Sequence, residues 1–521
     1  MNYADLFYAT LPETFLEIAA LFVLVFDLAL LRKAALKTRL ACAAILGIGG
    51  CVAALMAVSV AVPFHAGADL LLAAGGSAGL AQCAILILTA LTLLLLIDSG
   101  FTRHAGEYVA VVLMAAAGGL LICAAQDLLV IFIGLELLSL GLYILTAFNK
   151  QSGKSAEAAI KYYLFGGMST AFLLLGFSYL YGLSGSTYLP RVVYGVNNAA
   201  FKGGGPLLLI ALVMIAAGLG FKIAAVPFHF WTPDTYEGAP IPAVAFIASI
   251  SKVASYALLI SIGNAALKYL QIMLRNSGAS GRVQVITGGS TARIAGPGPF
   301  VVNVYFSWCL ILVVLSVASM IFGILAALAQ SRVRRLLAYS TIAHTGYVLL
   351  GLAFLDWTNR IPQAVLYYML TYGLTTIGAF GAIGVVERAA GSDKFDAFLG
   401  LHKRSPVLAA VLLVVILSLA GIPPLVGFWA KFNLFAAVLG VSAGVVPFSL
   451  VALAVALSAV SLYYYLQVLK RVYVMPAVDE TPIAAHPVTL AVLVLVAAAV
   501  VVMGCFPALL QSWVASFYPA M

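Results

Sequence analysis

Long apolar runs alternate with short polar stretches over almost the whole chain. A run of about 18 or more apolar residues is long enough to cross the hydrocarbon core of a bilayer as a helix. The pattern predicts an all-α polytopic membrane protein with about fourteen spans, at residues 11–31, 39–62, 78–97, 108–123, 128–148, 159–182, 206–231, 240–267, 300–327, 335–355, 362–386, 406–436, 442–468 and 487–506.

The composition supports the same class of protein. The 521 residues are 64% hydrophobic and 9% charged, whereas about 25% of the residues of a soluble domain are charged. The first run begins with Glu13 and Glu17 and is followed by Arg32 and Lys33 rather than by a small-residue cleavage site. We therefore expect it to remain as the first span and not to be removed as a signal peptide.

The basic residues are divided unevenly between the loops. When each loop is numbered by the spans that it joins, the odd loops hold 16 lysines and arginines and the even loops hold 7. Because cytoplasmic loops carry the excess of Lys and Arg, the odd loops are predicted to face the cytoplasm and both termini the opposite side. The net charge of +9 reflects this topology and does not indicate a nucleic-acid partner.

Four basic residues lie inside the predicted spans, and all of them are lysines: Lys161, Lys222, Lys252 and Lys431. A charge at bilayer depth costs at least about 2.5 to 3.5 kcal/mol, so its presence there indicates function. A desolvated ammonium releases its proton readily, whereas a guanidinium practically never does. These lysines are candidate proton carriers, although Lys161, near a span end, could instead reach out to the membrane interface.

An acidic residue, Glu136, lies inside the fifth span in GLELLSLGLYIL, and no Lys or Arg is closer to it in sequence than Lys150. A buried carboxylate and a buried ammonium about 4 Å apart attract by roughly 4 kcal/mol at an effective dielectric of about 20. Such a pair would be a protonation switch. The alternative is that Glu136 is a structural hydrogen-bonding residue between helices.

Two of the lysines lie in similar runs that prolines interrupt. Lys222 lies in GLGFKIAAVPFHFWTP of the seventh span, and Lys431 lies in SLAGIPPLVGFWAKF of the twelfth. Paired broken helices in two halves of a chain are typical of the ion sites of inverted-repeat transporters, although a single break could be an ordinary kink. The predicted helix breaks are at Pro227, Pro233, Pro423 and Pro424.

Two histidines are further candidates for a proton relay. His229 follows the first proline of the seventh span, and His344 lies in the tenth span within AYSTIAHTGYVLLG. A histidine titrates near neutrality and can pass a proton between two lysines, although each of these could instead be a hydrogen-bonded packing residue.

The sequence has no pattern of a redox or hydrolytic active site. Walker A, Rossmann, H-E-x-x-H and G-x-S-x-G patterns are absent. The six cysteines lie in or beside apolar runs, without a C-x-x-C spacing. We expect this chain to bind no metal and no cofactor.

Five stretches together resemble a known family: GLELLSL, GLGFKIAAVPFHFWTPDTYEGAP, ISKVASY, RLLAYSTIAHTGY and LSLAGIPPLVGFWAKF. They are similar to the antiporter-like membrane subunits of the proton-pumping NADH:quinone oxidoreductase, respiratory complex I, roughly from span 4 to span 13. Among the branches of that family the resemblance is greatest to subunit N. Subunit M usually has a glutamate where this chain has Lys431, and subunit L has a long lateral helix after its last span.

The resemblance implies a fold of fourteen helices with two inverted five-helix repeats, each with one proline-broken helix, at spans 7 and 12. It implies that Glu136 and Lys222 are paired charges and that Lys252 and Lys431 continue a line of proton carriers, near which the family also places Lys161. The implied function is to couple quinone reduction elsewhere in the complex to proton translocation.

The resemblance also implies the surroundings of the chain. NADH, FMN, iron–sulfur clusters and quinone are expected in other subunits, and the expected partners are other membrane subunits and lipids in a bacterial inner membrane. The expected division of the chain is into N-terminal helices, a first repeat, an extramembrane loop, a second repeat and a last helix, at 1–107, 108–267, 268–299, 300–474 and 475–521.

Other functions stay open from sequence alone. A subunit of a cation/proton antiporter or of a membrane-bound hydrogenase would belong to the same family. A purely structural membrane scaffold is the remaining alternative, and it predicts that Lys222 and Glu136 tolerate apolar replacement.

Overall fold

The computed structural model describes residues 7–61, 71–73, 75–199, 203–276, 299–356, 358–441, 444–477 and 481–518. Within these ranges the regular structure is helical apart from three isolated β-bridges, which confirms the predicted all-α class. The helices before the middle of the chain are α1 (Leu11–Ala29), α2 (Leu36–Ala61), α3 (Gly76–Leu96), α4 (Ala105–Ala124), α5 (Leu128–Thr146), α6 (Gly153–Ser184), α7 (Leu189–Ala199), α8 (Gly205–Ile223) and α9 (Trp231–Gly238).

The second part of the chain is built in the same way, with a short 3-10 helix at Phe395–Phe398. Its helices are α10 (Ile241–Asn276), α11 (Pro299–Leu328), α12 (Val333–Ala353), α13 (Arg360–Ala390), α14 (Leu401–Arg404), α15 (Pro406–Ala420), α16 (Val426–Val441), α17 (Val445–Tyr473), α18 (Pro487–Cys505) and α19 (Pro507–Ser516).

The number of spans agrees with the sequence pattern. In the described ranges, 12 helices are long and apolar enough to cross a membrane. The shorter apolar helices α15 and α16 together form the broken twelfth span. Helix α1 is apolar but carries Glu13, Glu17 and Asp27, which excludes it from the twelve. With α1 and the broken span added, the predicted fourteen are accounted for.

Three helices form the centre of the bundle. The apolar segments of α10, α12 and α13 are almost wholly enclosed by other helices, whereas α6 and α17 leave most of their residues uncovered. Helix α10 packs against α3, α4 and α13, and α13 packs against α15, α16 and α18. The central helices therefore join the two parts of the chain, and they carry Lys252 and His344 into its interior.

Both predicted breaks are present, and they have a similar form. Helix α8 ends at Ile223 and is followed by Ala224 in the left-handed conformation, with φ of 59°. Helix α15 ends at Ala420 and is followed by Gly421, with φ of 85°. The left-handed residue ends each helix and leaves its last carbonyl groups without helical partners. Pro227, Pro423 and Pro424 lie in these two breaks.

The seventh span differs from its predicted limits. It was expected to end at residue 231, but the helix starts again at Trp231 and continues as α9 to Gly238. Pro233 lies in the first turn of α9 rather than in the break, a position at which a proline removes no helical hydrogen bond. The charged residues Asp234 and Glu237 lower the hydropathy of α9, which is why the apolar pattern did not include it.

Two further helices were not expected from the apolar pattern. Helix α7 lies in the connection between α6 and α8, and α19 follows the last span. Helix α10 extends beyond the predicted eighth span to Asn276, into the expected extramembrane loop. Residues 277–298 of that loop lie outside the described residues.

Candidate proton-transfer site

Lys222 lies in the last turn of α8, beside the first break. Its side chain is 7% exposed, and its ammonium donates a hydrogen bond of 2.5 Å to Oγ of Ser139 on α5. The Ser139 hydroxyl donates in turn to the carbonyl of Leu135, at 2.5 Å. The ammonium is therefore held by a neutral hydroxyl group from a neighbouring helix.

Glu136 has a different partner. Its carboxylate is half-buried and accepts a 2.7 Å hydrogen bond from Oγ1 of Thr170 on α6. Lys222 and Glu136 therefore have separate hydroxyl partners, although Glu136 is close enough to act electrostatically on Lys222. Ser139 and Glu136 are three residues apart on α5, so they lie side by side on one face of that helix.

Lys252 lies on α10 and also reaches the first break. It is 2% exposed, and its ammonium donates to the carbonyl of Ile223, the last residue of α8. The same ammonium lies 3.1 Å from Oγ1 of Thr345 on α12, whose hydroxyl donates to the Ile223 carbonyl at 2.8 Å. A carbonyl at the C-terminus of a helix lacks a helical donor and carries partial negative charge, so it suits an ammonium.

Lys431 repeats this arrangement at the second break. It is 6% exposed, and its ammonium donates to the carbonyl of Ala420, the last residue of α15, at 2.8 Å. It also donates to Oγ of Ser458 on α17 at 2.9 Å. Each broken helix thus presents its C-terminal carbonyl group to a buried lysine.

His344 is the centre of a buried group of hydroxyl-bearing side chains. Its Nδ1 lies 2.6 Å from the hydroxyl of Tyr368, and its Nε2 lies 3.2 Å from the hydroxyl of Tyr465. The Tyr465 hydroxyl is also 2.5 Å from Oγ of Ser340. Both ring nitrogens therefore have hydroxyl partners that can donate or accept a proton.

Helix α12 connects the surroundings of Lys252 and Lys431. Thr345, a partner of Lys252, is the residue after His344, and the ring of Tyr347 has its centroid 5.5 Å from the Lys431 ammonium. A cavity of about 10 Å³ lies between His344, α13 and the ends of α15 and α16 that flank the second break. That volume is close to what one water molecule needs.

Lys161 lies apart from the other three lysines. Its ammonium forms ion pairs with Asp234 on α9, at 2.9 Å, and with Glu157, at 2.7 Å. Arg335 on α12 also pairs with Asp234, at 2.9 Å, and with Glu237, at 3.0 Å. Lys161 is thus part of a partly exposed ion-pair network, with 41% of its side chain uncovered by the protein.

The network extends across one end of the bundle. Lys154 pairs with Glu237 at 3.1 Å, and Arg332 pairs with Asp393 at 2.6 Å. We call the end defined by Lys154, Glu237, Arg332 and Asp393 the ion-pair end. It contains an open polar pocket of about 550 Å³ between segments of the two parts of the chain.

His229 lies in the first break and is 3% exposed. Its ring stacks on Phe230 and lies beside Phe322 of α11, each at a centroid distance of 4.6 Å. Its Nδ1 is buried and has no hydrogen-bond partner among the described residues. The structure therefore brings His344, but not His229, into the hydrogen-bonded surroundings of the lysines.

The partners of the lysines carry no recognisable sequence pattern. Ser139, Thr345 and Ser458 supply hydroxyl groups, and Ile223 and Ala420 supply backbone carbonyls. In the described ranges, no group of three or more His, Cys, Asp or Glu side chains could hold a metal ion.

Two broken helices with buried lysines at the breaks define the class of ion-translocating membrane subunits of the antiporter type. The profile of the family described as "NADH:quinone oxidoreductase/Mrp antiporter, TM" matches residues 125–281 and 291–460, more than half of the chain. The chain belongs to this family, and it is a multi-pass membrane protein.

Two of the relatives that it resembles carry the name of one branch of the family. The chain is 43% identical over 98% of its length to NADH-quinone oxidoreductase subunit N 2 of Acidobacterium capsulatum, of which it covers 99%. It is 36% identical over 84% of its length to NADH-quinone oxidoreductase subunit N of Brevibacillus brevis, of which it covers 79%.

Solved structures share the fold. A chain of the respiratory complex I from Thermus thermophilus with bound aureothin is 30% identical, with a TM-score of 0.73, over 96% of this chain and 98% of that one. A chain of the Mrp complex from Dietzia sp. is 19% identical, with a TM-score of 0.75, over 98% of each chain, which shows the fold alone.

Proposed function

We propose that this chain is the N-type proton-translocating membrane subunit of a bacterial NADH:quinone oxidoreductase. It has no redox centre of its own, and NADH, FMN, the iron–sulfur clusters and the quinone belong to other subunits. Its partners are the other membrane subunits, including neighbouring antiporter-like ones, and lipids. The subunit N relatives, one of them 43% identical over 98% of the chain, support this proposal.

The proposed proton carriers are Glu136, Lys222, Lys252 and Lys431. The observation that carries the proposal is that the three buried lysines donate to neutral oxygens: Ser139 and the C-terminal carbonyls of two broken helices. An ammonium held by a carboxylate keeps its proton strongly, whereas a desolvated ammonium held by neutral acceptors gives it up more easily. The arrangement therefore suits lysines that exchange protons.

Glu136 and Lys222 form the switch in this proposal. With Lys222 on Ser139 and Glu136 on Thr170, the pair is in its open state. A swing of the Lys222 side chain by one turn along α5, from Ser139 to Glu136, would form the closed ion pair and hold the proton on Lys222. Two discrete arrangements of this kind can be biased by a distant event such as quinone reduction.

His344 is the proposed relay from Lys252 to Lys431. It lies next to Thr345, a partner of Lys252, and beside the cavity that leads to the second break. One water molecule in that cavity, together with the hydroxyls of Tyr368 and Tyr465, would provide donors and acceptors along the gap. Lys161 and His229 lie apart from this path, and we do not include them in it.

The orientation in the membrane is part of the proposal. The ion-pair end, where loops rich in Lys and Arg meet, faces the cytoplasm of a bacterial inner membrane, and both termini lie on the opposite side. The proposed repeats are residues 108–267 and 300–474, each with one of the two breaks.

The test is to extract the chain from its native membrane in mild detergent and to assay the particle that carries it for inhibitor-sensitive NADH:quinone reductase activity. Co-purification with that activity is the expected result. Recovery of the chain alone, or with small membrane partners and no NADH oxidation, would refute the proposal. Na⁺/H⁺ exchange in vesicles would then test the antiporter alternative.

A further inference from the structure

A buried carboxyl group lies outside the proposed proton path. Glu13 is in the first turn of α1 and is 5% exposed. Helix α1 precedes both proposed repeats and packs against α2 and α4. No step of the proposed translocation uses this residue, so its burial requires a separate explanation.

The partners of Glu13 are few and neutral. The side-chain amide of Gln82 on α3 donates to Oε1 of Glu13 at 3.3 Å, and the same nitrogen donates to the carbonyl of Leu120 on α4, also at 3.3 Å. Oε2 of Glu13 is buried and has no hydrogen-bond partner among the described residues. Oε1 therefore has one long side-chain hydrogen bond and Oε2 has none, and the only other polar contact of the carboxyl group is with the backbone N–H of Glu13 itself.

Among the described residues, no cation acts on this carboxyl group. On its own helix, Glu17 is exposed and acidic, and on α4 the thiol of Cys123 lies within electrostatic reach of Glu13. In the described part of α2, the basic residues are at the opposite end of the helix, where Arg39 pairs with Asp27 of α1 at 2.6 Å. Helix α3, which supplies Gln82, contains no charged residue.

These contacts decide the protonation state. A buried carboxylate with no cation among the described residues, and with one oxygen that accepts no hydrogen bond, loses most of its hydration. The positive end of the α1 dipole favours a carboxylate in the first turn, but by less than the hydration that the buried carboxylate loses. The desolvation penalty is the larger effect, so the neutral acid is the more stable form at this position.

We propose that Glu13 is a separate proton-binding site of this chain, a carboxylic acid that holds its proton at neutral pH. It is a site of covalent modification by hydrophobic carbodiimides for the same reason. The O–H of a neutral carboxylic acid adds across one C=N bond of the carbodiimide to give an O-acylisourea. Migration of the acyl group from oxygen to nitrogen then gives a stable N-acylurea, and no group leaves.

The first test is infrared spectroscopy of the intact purified assembly that carries this chain, at neutral pH. The difference between the wild type and Glu13→Gln is expected to contain one carboxylic-acid C=O band that shifts in D₂O. The matched control is Glu17→Gln, an exposed acidic residue on the same helix, whose difference spectrum should contain carboxylate bands and no carboxylic-acid band. A carboxylate band in place of the acid band for Glu13→Gln would overturn the proposal.

A second variant keeps the acid and removes its partner. In Gln82→Leu the carboxylic-acid band of Glu13 should remain and move to higher frequency, because its only side-chain hydrogen bond is lost.

The wild-type chain itself gives a third measurement, by peptide mass mapping after treatment with dicyclohexylcarbodiimide. Modification at Glu13 and not at Glu17 supports the proposal, whereas modification at Glu17 with Glu13 unmodified contradicts it. The infrared and labelling measurements do not depend on NADH oxidation. A failure of this proposal can therefore be distinguished from a failure of the proposed function.

Discussion

The ammonium of Lys252 donates a hydrogen bond to the carbonyl of Ile223, the residue that follows Lys222 in the chain. Two lysines from different helices thus meet at a single helix break. The break supplies a carbonyl without a helical donor, at the negative end of the helix dipole. Ala420 does the same for Lys431, so backbone groups take the role that acidic side chains have in an ordinary ion pair.

Two replacements of Lys222 distinguish the effect of its positive charge from the effect of its ability to release a proton. We expect Lys222→Ala and Glu136→Gln to lower proton translocation and coupled quinone reduction by at least about tenfold, while the complex still assembles. Lys222→Arg should lose as much as Lys222→Ala, because a guanidinium keeps its proton. The measurement is proton translocation in reconstituted vesicles, and Lys154→Ala, at the ion-pair end, is the control. Wild-type translocation in a well-assembled Lys222→Ala complex would refute the proposed role.

The hydroxyl of Thr345 should matter because it contacts the Lys252 ammonium. Thr345→Val keeps the shape of the side chain but removes a hydrogen bond to a charged group, worth about 1.5 to 3 kcal/mol. We expect translocation to fall by about ten- to a hundredfold in consequence. Thr376→Val is the matched control, since the Thr376 hydroxyl bonds only to carbonyls of its own helix. Equal effects of the two substitutions would show that the loss is not specific to Lys252.

These two threonines also show what the sequence could and could not predict. The lysines and the proline breaks were predictable because a charge or a proline is unusual in an apolar run. Thr345 and Thr376 are both ordinary residues of apolar helices, and a hydroxyl there usually bonds to the preceding turn. Only the crossing of α10 and α12 brings Thr345 to Lys252, and no local pattern records that crossing.

The end of the seventh span was missed for a different reason. Asp234 and Glu237 make α9 polar, so the apolar run stopped before it. In the structure these charges are paired with basic residues of α6 and α12, and this pairing brings the polar segment onto the bundle. A hydropathy average describes one segment of the chain. It contains no information on ion-pair partners that are far away in the sequence, such as those of Asp234 and Glu237.

Lys161 provides a test of which lysines belong to the path. Its ion pairs are partly exposed, and pairs of this kind contribute about 0 to 1 kcal/mol. Asp234 keeps Arg335 as a partner when Lys161 is removed. We therefore expect Lys161→Ala to change translocation by less than about twofold. A loss as large as that of Lys222→Ala, measured in the same vesicles, would place Lys161 in the proton path after all.

Two adjacent tyrosines on α13 give a matched pair for the role of His344. The hydroxyl of Tyr368 lies 2.6 Å from Nδ1 of His344, whereas the buried hydroxyl of Tyr367 has no hydrogen-bond partner among the described residues. We expect Tyr368→Phe to lower translocation several-fold, because His344 loses a proton partner. Tyr367→Phe should leave it unchanged, since an unpaired buried hydroxyl contributes no hydrogen bond. The opposite order of effects in vesicle assays would argue against a relay through His344.

Ala224 follows α8 and Gly421 follows α15, and both have a left-handed backbone. We expect opposite effects on stability and translocation when glycine replaces Ala224 and when alanine replaces Gly421. Gly421 has φ of 85°, and a Cβ there would lie 2.9 Å from Cδ and 3.1 Å from Nζ of Lys431. Gly421→Ala should therefore strain the backbone by about 1 to 2 kcal/mol and displace the Lys431 ammonium from Ala420, with a clear loss of translocation.

Ala224 already has a Cβ in the left-handed conformation, with φ of 59°. Ala224→Gly relieves that strain, although the more flexible unfolded chain offsets part of the gain. We expect its thermal stability to be equal or slightly higher and its translocation to be retained. Both variants are compared by thermal unfolding of the detergent-solubilised complex and by translocation in vesicles. If Gly421→Ala translocated normally, the position of the Lys431 ammonium on the Ala420 carbonyl would not be required for function.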